Sequence, residues 1–137
     1  MPRVLAIDYG QKRTGLAHTD PEQIIASPLE TVLTKNIFPY LKDYLNHEDV
    51  ESIVVGDPKT LQDKPALISN KIQLFVKKIQ KTFNIPVYMI DERFTSKIAI
   101  KTLVESNTKK TKRKDKTIID KISATLILQS FLDRSSL

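Results

Sequence analysis

The sequence predicts a mixed α/β fold, a five-stranded sheet with helices packed on both faces. Three observations carry that prediction. The chain opens on two short apolar runs joined by a polar turn, which is the layout of a hairpin. Two further β-rich apolar runs lie downstream, at 52–55 and 86–90. Segments with apolar residues at helical spacing alternate with those runs, and such alternation places parallel strands under covering helices.

The elements follow in order. Residues 4–8 and 14–18 form the hairpin strands, joined by Tyr9-Gly10-Gln11-Lys12-Arg13. Residues 25–33 are extended, and Pro28, which has no amide to donate, predicts an edge or irregular strand. Ile37, Tyr40, Leu41, Tyr44 and Leu45 recur at helical spacing, with Asn36 as the expected N-cap and Pro39 in the first turn. Ser52 to Val55, ending at Gly56, reads as a buried parallel strand. From Pro65 to Phe83, a stripe of Leu67, Ile68, Ile72, Phe75, Val76 and Ile79 predicts an amphipathic helix. Residues 86–90 make the last strand. Thr95 or Ser96 caps a helix to about Glu105, and a final helix runs from Thr117 to Leu132 with Ile118, Ile122, Thr125 and Leu132 on one face. With 137 residues and no repeat or linker, residues 1–137 are expected to form a single domain.

Composition narrows the function. There is no cysteine, which removes disulfides and thiolate metal sites. No apolar run is long enough to span a bilayer, and the start lacks a signal-peptide layout, so a cytoplasmic protein without membrane contact is expected. The net charge is +6. Lys109, Lys110, Lys112, Arg113, Lys114 and Lys116 share the window 109–116 with one acid, Asp115, so this window alone carries net +5. A charge run is often only a solvated loop. Here it also suits a loop that grips phosphates, with Lys112, Arg113 and Lys114 at its centre.

Three carboxylate positions stand out. Asp8 closes the first strand, followed by Gly10, Lys12, Arg13 and Gly15. The chain has only three glycines, against an average usage of roughly 7%. Two of them flank the Lys12-Arg13 turn and the third, Gly56, ends the central strand. Gly10 is expected to supply the positive φ of a tight turn. Gly15 removes a side chain where another group approaches. Asp91-Glu92-Arg93 follows the last strand, where one acid can face a site while the other anchors the loop. Asp120 lies at the start of the final helix, close to its expected apolar stripe, where an acid wants a partner. Carboxylates on separate elements, without a His or Cys cluster, suit a hard cation such as Mg²⁺ or Mn²⁺. The reaction that uses such a cation beside a basic loop is phosphodiester hydrolysis. His18 and His47 have no partner at ligand spacing and read as structural.

Asp8 through Ala17, Val54-Val55-Gly56, Asp91-Glu92-Arg93 with Thr95, and Asp120 with Ser123-Ala124 together resemble the YqgF family, in order and spacing across nearly the whole chain. The resemblance implies a ribonuclease H-like fold and a divalent-metal nuclease that matures the 5′ end of 16S ribosomal RNA, acting on structured RNA within ribosomal precursor particles. It implies Asp8, Glu92 and Asp120 as catalytic and metal-holding acids, with Lys12 and Arg13 on the nucleic-acid backbone and Arg93 either orienting Glu92 or binding phosphate. The sequence departs from the family at Asp57, where an apolar residue is usual, and in residues 59–64, which lack the usual glycine. Asp57 is therefore either an auxiliary fourth carboxylate or a turn-capping acid.

Other functions fit parts of this pattern. A Holliday junction resolvase acting on branched DNA would use the same acids, as a two-fold dimer, whereas trimming an RNA end needs only a monomer. A non-catalytic module binding nucleic acid or a transcription complex would use the basic residues but gains nothing from the acids. An ATP-clamping enzyme also carries an Asp-x-Gly turn, but it needs a second copy of the motif.

Overall fold

A computed structural model describes residues 2–57, 66–91 and 116–135, with side chains at all of these except 66–69, 91, 116–120 and 134–135. The element order is β1 (Arg3–Asp8), β2 (Arg13–Thr19), β3 (Ala26–Leu33), a 3₁₀ turn (Thr34–Asn36), α1 (Ile37–His47), β4 (Val50–Asp57), α2 (Ala66–Phe83), β5 (Val87–Asp91) and α3 (Lys116–Ser135). The helix expected between 95 and 105 lies outside the described residues. The five strands form one sheet in the order β3-β2-β1-β4-β5. β1 pairs antiparallel with β2 and parallel with β4, and β4 pairs parallel with β5. The sheet is therefore mixed, with β1 and β4 at its centre.

Strand alternation sorts the core into two layers. Leu5 and Ile7 of β1, Leu16 of β2 and Ile53 and Val55 of β4 pack against Ile37, Leu41 and Tyr44 of α1 and Ile72, Phe75, Val76 and Ile79 of α2. Val4, Ala6, Ala17, Val54 and Ile90 face the other way, onto Ala124, Ile127 and Leu128 of α3. Helices thus cover both faces, as the apolar runs of β1 and β4 required. The α3 face is the thinner one. Ala6, Ala17 and Ala124 are small and fully buried, so the helix lies close to the sheet.

β3 is the edge strand, and Pro28 sits beside a register irregularity, since Leu16 pairs with Glu30 while Ala17 pairs with Pro28. Two local expectations need correction. Asn36 does not cap α1 through its side chain; the chain enters the helix through the 3₁₀ turn, whose geometry already leads into the first helical residue. The face of α3 is also different. Its buried stripe is Ala124, Ile127 and Leu128, with Phe131 packed alongside, while Ile122, Thr125 and Leu132 are only half-buried. Residues 118–128 are apolar almost all round the helix, so spacing alone did not single out one face.

Candidate active site

β1, β4 and β5 run parallel, so Asp8, Asp57 and Asp91 close three neighbouring strands at the same edge of the sheet. Asp8 shares the alternation of Val4 and Ala6, which sets it on the α3 face. It pairs in register with Gly15 of β2. On its other side Ile7 pairs with Val55, so the next register position brings Asp8 level with Gly56 of β4. The half-buried carboxylate therefore stands between two neighbours that have no side chains. This accounts for two of the three glycines.

The third glycine has a different role from the one expected. Gly10 does not adopt a positive φ. A Cβ at this position would run into the Arg13 carbonyl oxygen, so the turn closes too tightly for any side chain. Thr34, which the sequence pattern does not single out, clamps the same turn. Its hydroxyl donates to the Gly10 carbonyl at 2.7 Å and lies 2.9 Å from the Thr14 hydroxyl, and its amide donates to the Lys12 carbonyl at 2.9 Å. Tyr9 fixes the other flank by packing on Phe75 of α2, with ring centroids 4.7 Å apart. Lys12 is exposed at the tip of this braced turn, and Arg13 is half-buried at the start of β2. A threonine twenty residues from its partner Thr14 leaves no periodic signal that could have flagged it.

Asp57 stands on a strand rather than in a turn. It is the last residue of β4, pairs with Asp91 and is only 8% exposed. By alternation it falls with Ile53 and Val55, on the face opposite to Asp8. Asp120 lies four residues before Ala124 in α3, so helix register puts position 120 in line with Ala124, Ile127, Leu128 and Phe131. Glu92, Arg93, Lys112, Arg113 and Lys114 lie outside the described residues.

Among the described residues no three His, Asp or Glu side chains gather closely enough to hold a metal ion. Of the three expected acids, Asp8 is the one whose side chain is described. The donor chemistry around it still fits a hard cation. Both histidines are committed elsewhere: His18 Nδ1 meets the Tyr44 hydroxyl at 2.8 Å, and His47 Nδ1 meets the Asp43 carbonyl at 2.8 Å. Carboxylate oxygen is then the donor type left at this edge, with glycine on either side leaving room for an ion and its ligands. No described helix is long and apolar enough to cross a membrane.

A mixed sheet in this order, flanked by helices on both faces, has the architecture of the ribonuclease H-like class. Solved structures agree on the fold. The fowlpox virus Holliday junction resolvase in complex with its junction DNA covers 97% of this chain and 98% of its own, at a TM-score of 0.60 and 16% identity. The Thermus thermophilus (T. thermophilus) RuvC in complex with a Holliday junction gives 0.60 over 98% and 96%, again at 16% identity. More specifically, the chain belongs to the RuvX (YqgF) family, described as Holliday junction resolvase, whose model matches residues 2–134. It is similar to proteins named "Putative pre-16S rRNA nuclease" from Flavobacterium psychrophilum, 46% identical over 98% of both chains, and from Christiangramia forsetii, 47% identical over 96% of this chain and 98% of that one.

Proposed function

We propose that this chain acts as one metal-dependent nuclease domain that hydrolyses phosphodiester bonds in the 5′-end maturation of 16S ribosomal RNA. The observation that carries the site is Asp8 held on the central strand between Gly15 and Gly56. The relatives' names support the RNA substrate. Asp8, Glu92 and Asp120 are assigned as the acids that hold Mg²⁺ or Mn²⁺. Such an ion lowers the pKa of bound water and stabilises the charge that develops on a leaving oxygen.

The protein's own part is positional. β1 is hydrogen-bonded on both sides, so the Asp8 backbone cannot yield when a charged substrate arrives. The small strip of Ala6 and Ala17 lets α3 settle on the sheet and brings Asp120 toward the same face. Lys12 and Arg13, on the braced turn, hold the phosphodiester backbone next to Asp8. Arg93 and the basic residues Lys112, Arg113 and Lys114 extend that grip. Acids alone would repel a phosphate, so the cations on both sides are needed for binding. Asp57 enters as an auxiliary acid that reaches the site around the end of the sheet rather than from Asp8's face.

Branched DNA is the second reading, because the family is described by junction resolution. A symmetric junction needs a two-fold dimer. The deciding experiment incubates the protein and its Asp8→Asn variant with Mn²⁺ or Mg²⁺ and either precursor 16S RNA or a four-way junction. Removing a group that merely supports a metal ligand typically costs about 10–100-fold, so removing a ligand itself should cost at least about 10²-fold in cleavage, with binding retained. Equal cutting by the variant would sink the assignment, and cutting of the junction alone would replace RNA by DNA. Metal titration of Asp57→Asn belongs in the same series, and an unchanged affinity and rate removes Asp57 from the site.

A further inference from the structure

On the face opposite α3, a shallow groove of about 370 Å³ opens between α1 and α2. Its walls are Tyr9, Phe38, Lys71, Leu74, Phe75 and Lys78. The volume sits at the small end of the ~300–1,000 Å³ range of ligand clefts. Tyr9 directly follows Asp8 in the chain but packs on the opposite face, so the groove lies across the end of the sheet from the carboxylate. Three rings build its floor: Tyr9 lies 4.7 Å and Phe38 5.7 Å from Phe75, centroid to centroid. Leu74 stands on the rim at 67% exposure, an unusual place for a leucine flanked by lysines. The Lys78 ammonium lies 4.3 Å over the Phe38 ring.

The charge of the surrounding helix points to the occupant. α2 carries Lys71, Lys77, Lys78 and Lys81 and no acid over its 18 residues. The near-neutral balance of the chain outside 109–116 therefore hides a segregated basic helix. Lys71, Leu74, Phe75 and Lys78 follow at helical spacing along one edge, so two cations bracket an apolar and aromatic surface. Single-stranded nucleic acid is bound by this combination, with rings receiving base faces while lysines follow the phosphates. A base inside a duplex has its faces covered by stacking, so the groove fits only an unpaired one. A second copy of the same face would bring like charges together.

We propose that this groove holds an unpaired nucleotide of the substrate strand, its base against Tyr9, Phe38 and Leu74 and its phosphates between Lys71 and Lys78. The proposal rests on the nuclease reading and adds to it a preference for substrates with a single-stranded segment beside the scissile bond. The nucleotide would anchor the strand at the sheet edge where Asp8 waits.

Binding without catalysis tests it. The whole protein in EDTA is titrated with a fluorescent single-stranded oligoribonucleotide and with an abasic oligonucleotide of the same length. The wild-type protein is expected to prefer the strand with bases by on the order of tenfold, the scale of one stacked base. Leu74→Glu should erase that preference. Lys71→Ala with Lys78→Ala should weaken both strands and flatten the salt dependence, by about 0.7 in log–log slope for each phosphate no longer neutralised. All three positions are exposed, and circular dichroism checks that the variants fold. Equal wild-type affinity for the two strands overturns the proposal and leaves only a basic surface, such as one for an acidic protein. Unchanged binding by both variants overturns it as well. Failure of the nuclease reading looks different: no strand binds and no cofactor-dependent cutting occurs, whatever stands at residue 74.

Discussion

Gly10 and His18 are single residues whose surroundings leave little choice of chemistry. The Arg13 carbonyl occupies the place where a Cβ of residue 10 would stand, and a backbone atom cannot swing aside as a side chain can. Gly10→Ala is expected to cost about 1–3 kcal/mol, the usual range for overpacking, read as a lower denaturation midpoint. An unchanged midpoint would mean that the turn has room to open. His18 has its pKa lowered from 6.5, first by burial and then by the Arg3 guanidinium, against a weaker pull from Glu48. Burial raises the pKa of Tyr44, so its hydroxyl keeps its proton, 2.8 Å from Nδ1 of the imidazole. Below pH 6.5 the unfolded chain takes up a proton on His18 that the folded chain resists, so this contribution is full above 6.5 and is lost as pH falls through the lower folded value. Urea midpoints measured between pH 7.5 and 5 should drop more steeply for the wild-type protein than for His18→Gln. Parallel curves would acquit His18.

At the scale of elements, the β1–β2 hairpin owes its shape to a residue from the next segment. Thr34 begins the 3₁₀ turn after β3 and holds both Gly10 and Thr14 through one hydroxyl. Thr14 is fully buried, so Thr34→Val leaves its hydroxyl without this partner, at a cost of about 1–3 kcal/mol. The Lys12 turn also loosens, and affinity for nucleic acid should fall together with thermal stability. Lower stability with full affinity would show that the turn does not touch substrate. α2 ends in a comparable way, where Asn84 takes a positive φ of 53° and its amide returns to the Gln80 carbonyl at 3.0 Å. Asparagine tolerates the left-handed region better than most residues, which makes it a helix stop. The elements themselves were legible: strand runs, the Pro28 edge and the Ile72–Ile79 stripe of α2 all carry strong local patterns. The clamp was not, because a hydroxyl meeting a carbonyl across the sheet depends on register, which no local pattern encodes.

Across the whole molecule, one sheet divides the labour. The α1/α2 face is the thicker core, and the α3 face carries Asp8. Destabilising the two faces should therefore have unequal effects on cleavage. Leu41 of α1 and Leu128 of α3 are both fully buried, and truncating either to alanine should cost about 2–5 kcal/mol. Assayed well below the melting temperature, Leu128→Ala is expected to lose cleavage out of proportion, since α3, which carries position 120, no longer packs firmly on the sheet. Leu41→Ala should keep near-normal cleavage. Equal losses would indicate that α3 does not present an acid to the site.

The sequence by itself determined the mixed five-stranded sheet, the helices on both faces, the family, and Asp8 with its basic turn, because apolar periodicity, scarce glycines and a charge run are local facts. Only the tertiary structure decided which faces Asp8 and Asp57 take. The stripe of α3 became Ala124, Ile127 and Leu128 because packing on Ala6 and Ala17 selects one side of a helix that is apolar nearly all round. Asp57 fell opposite Asp8 because adjacent strand positions point to opposite faces of the sheet. Asp8 gains its setting from both sides of β1, since Gly15 of the hairpin and the sequence-distant Gly56 become its neighbours only when β2 and β4 close on either side.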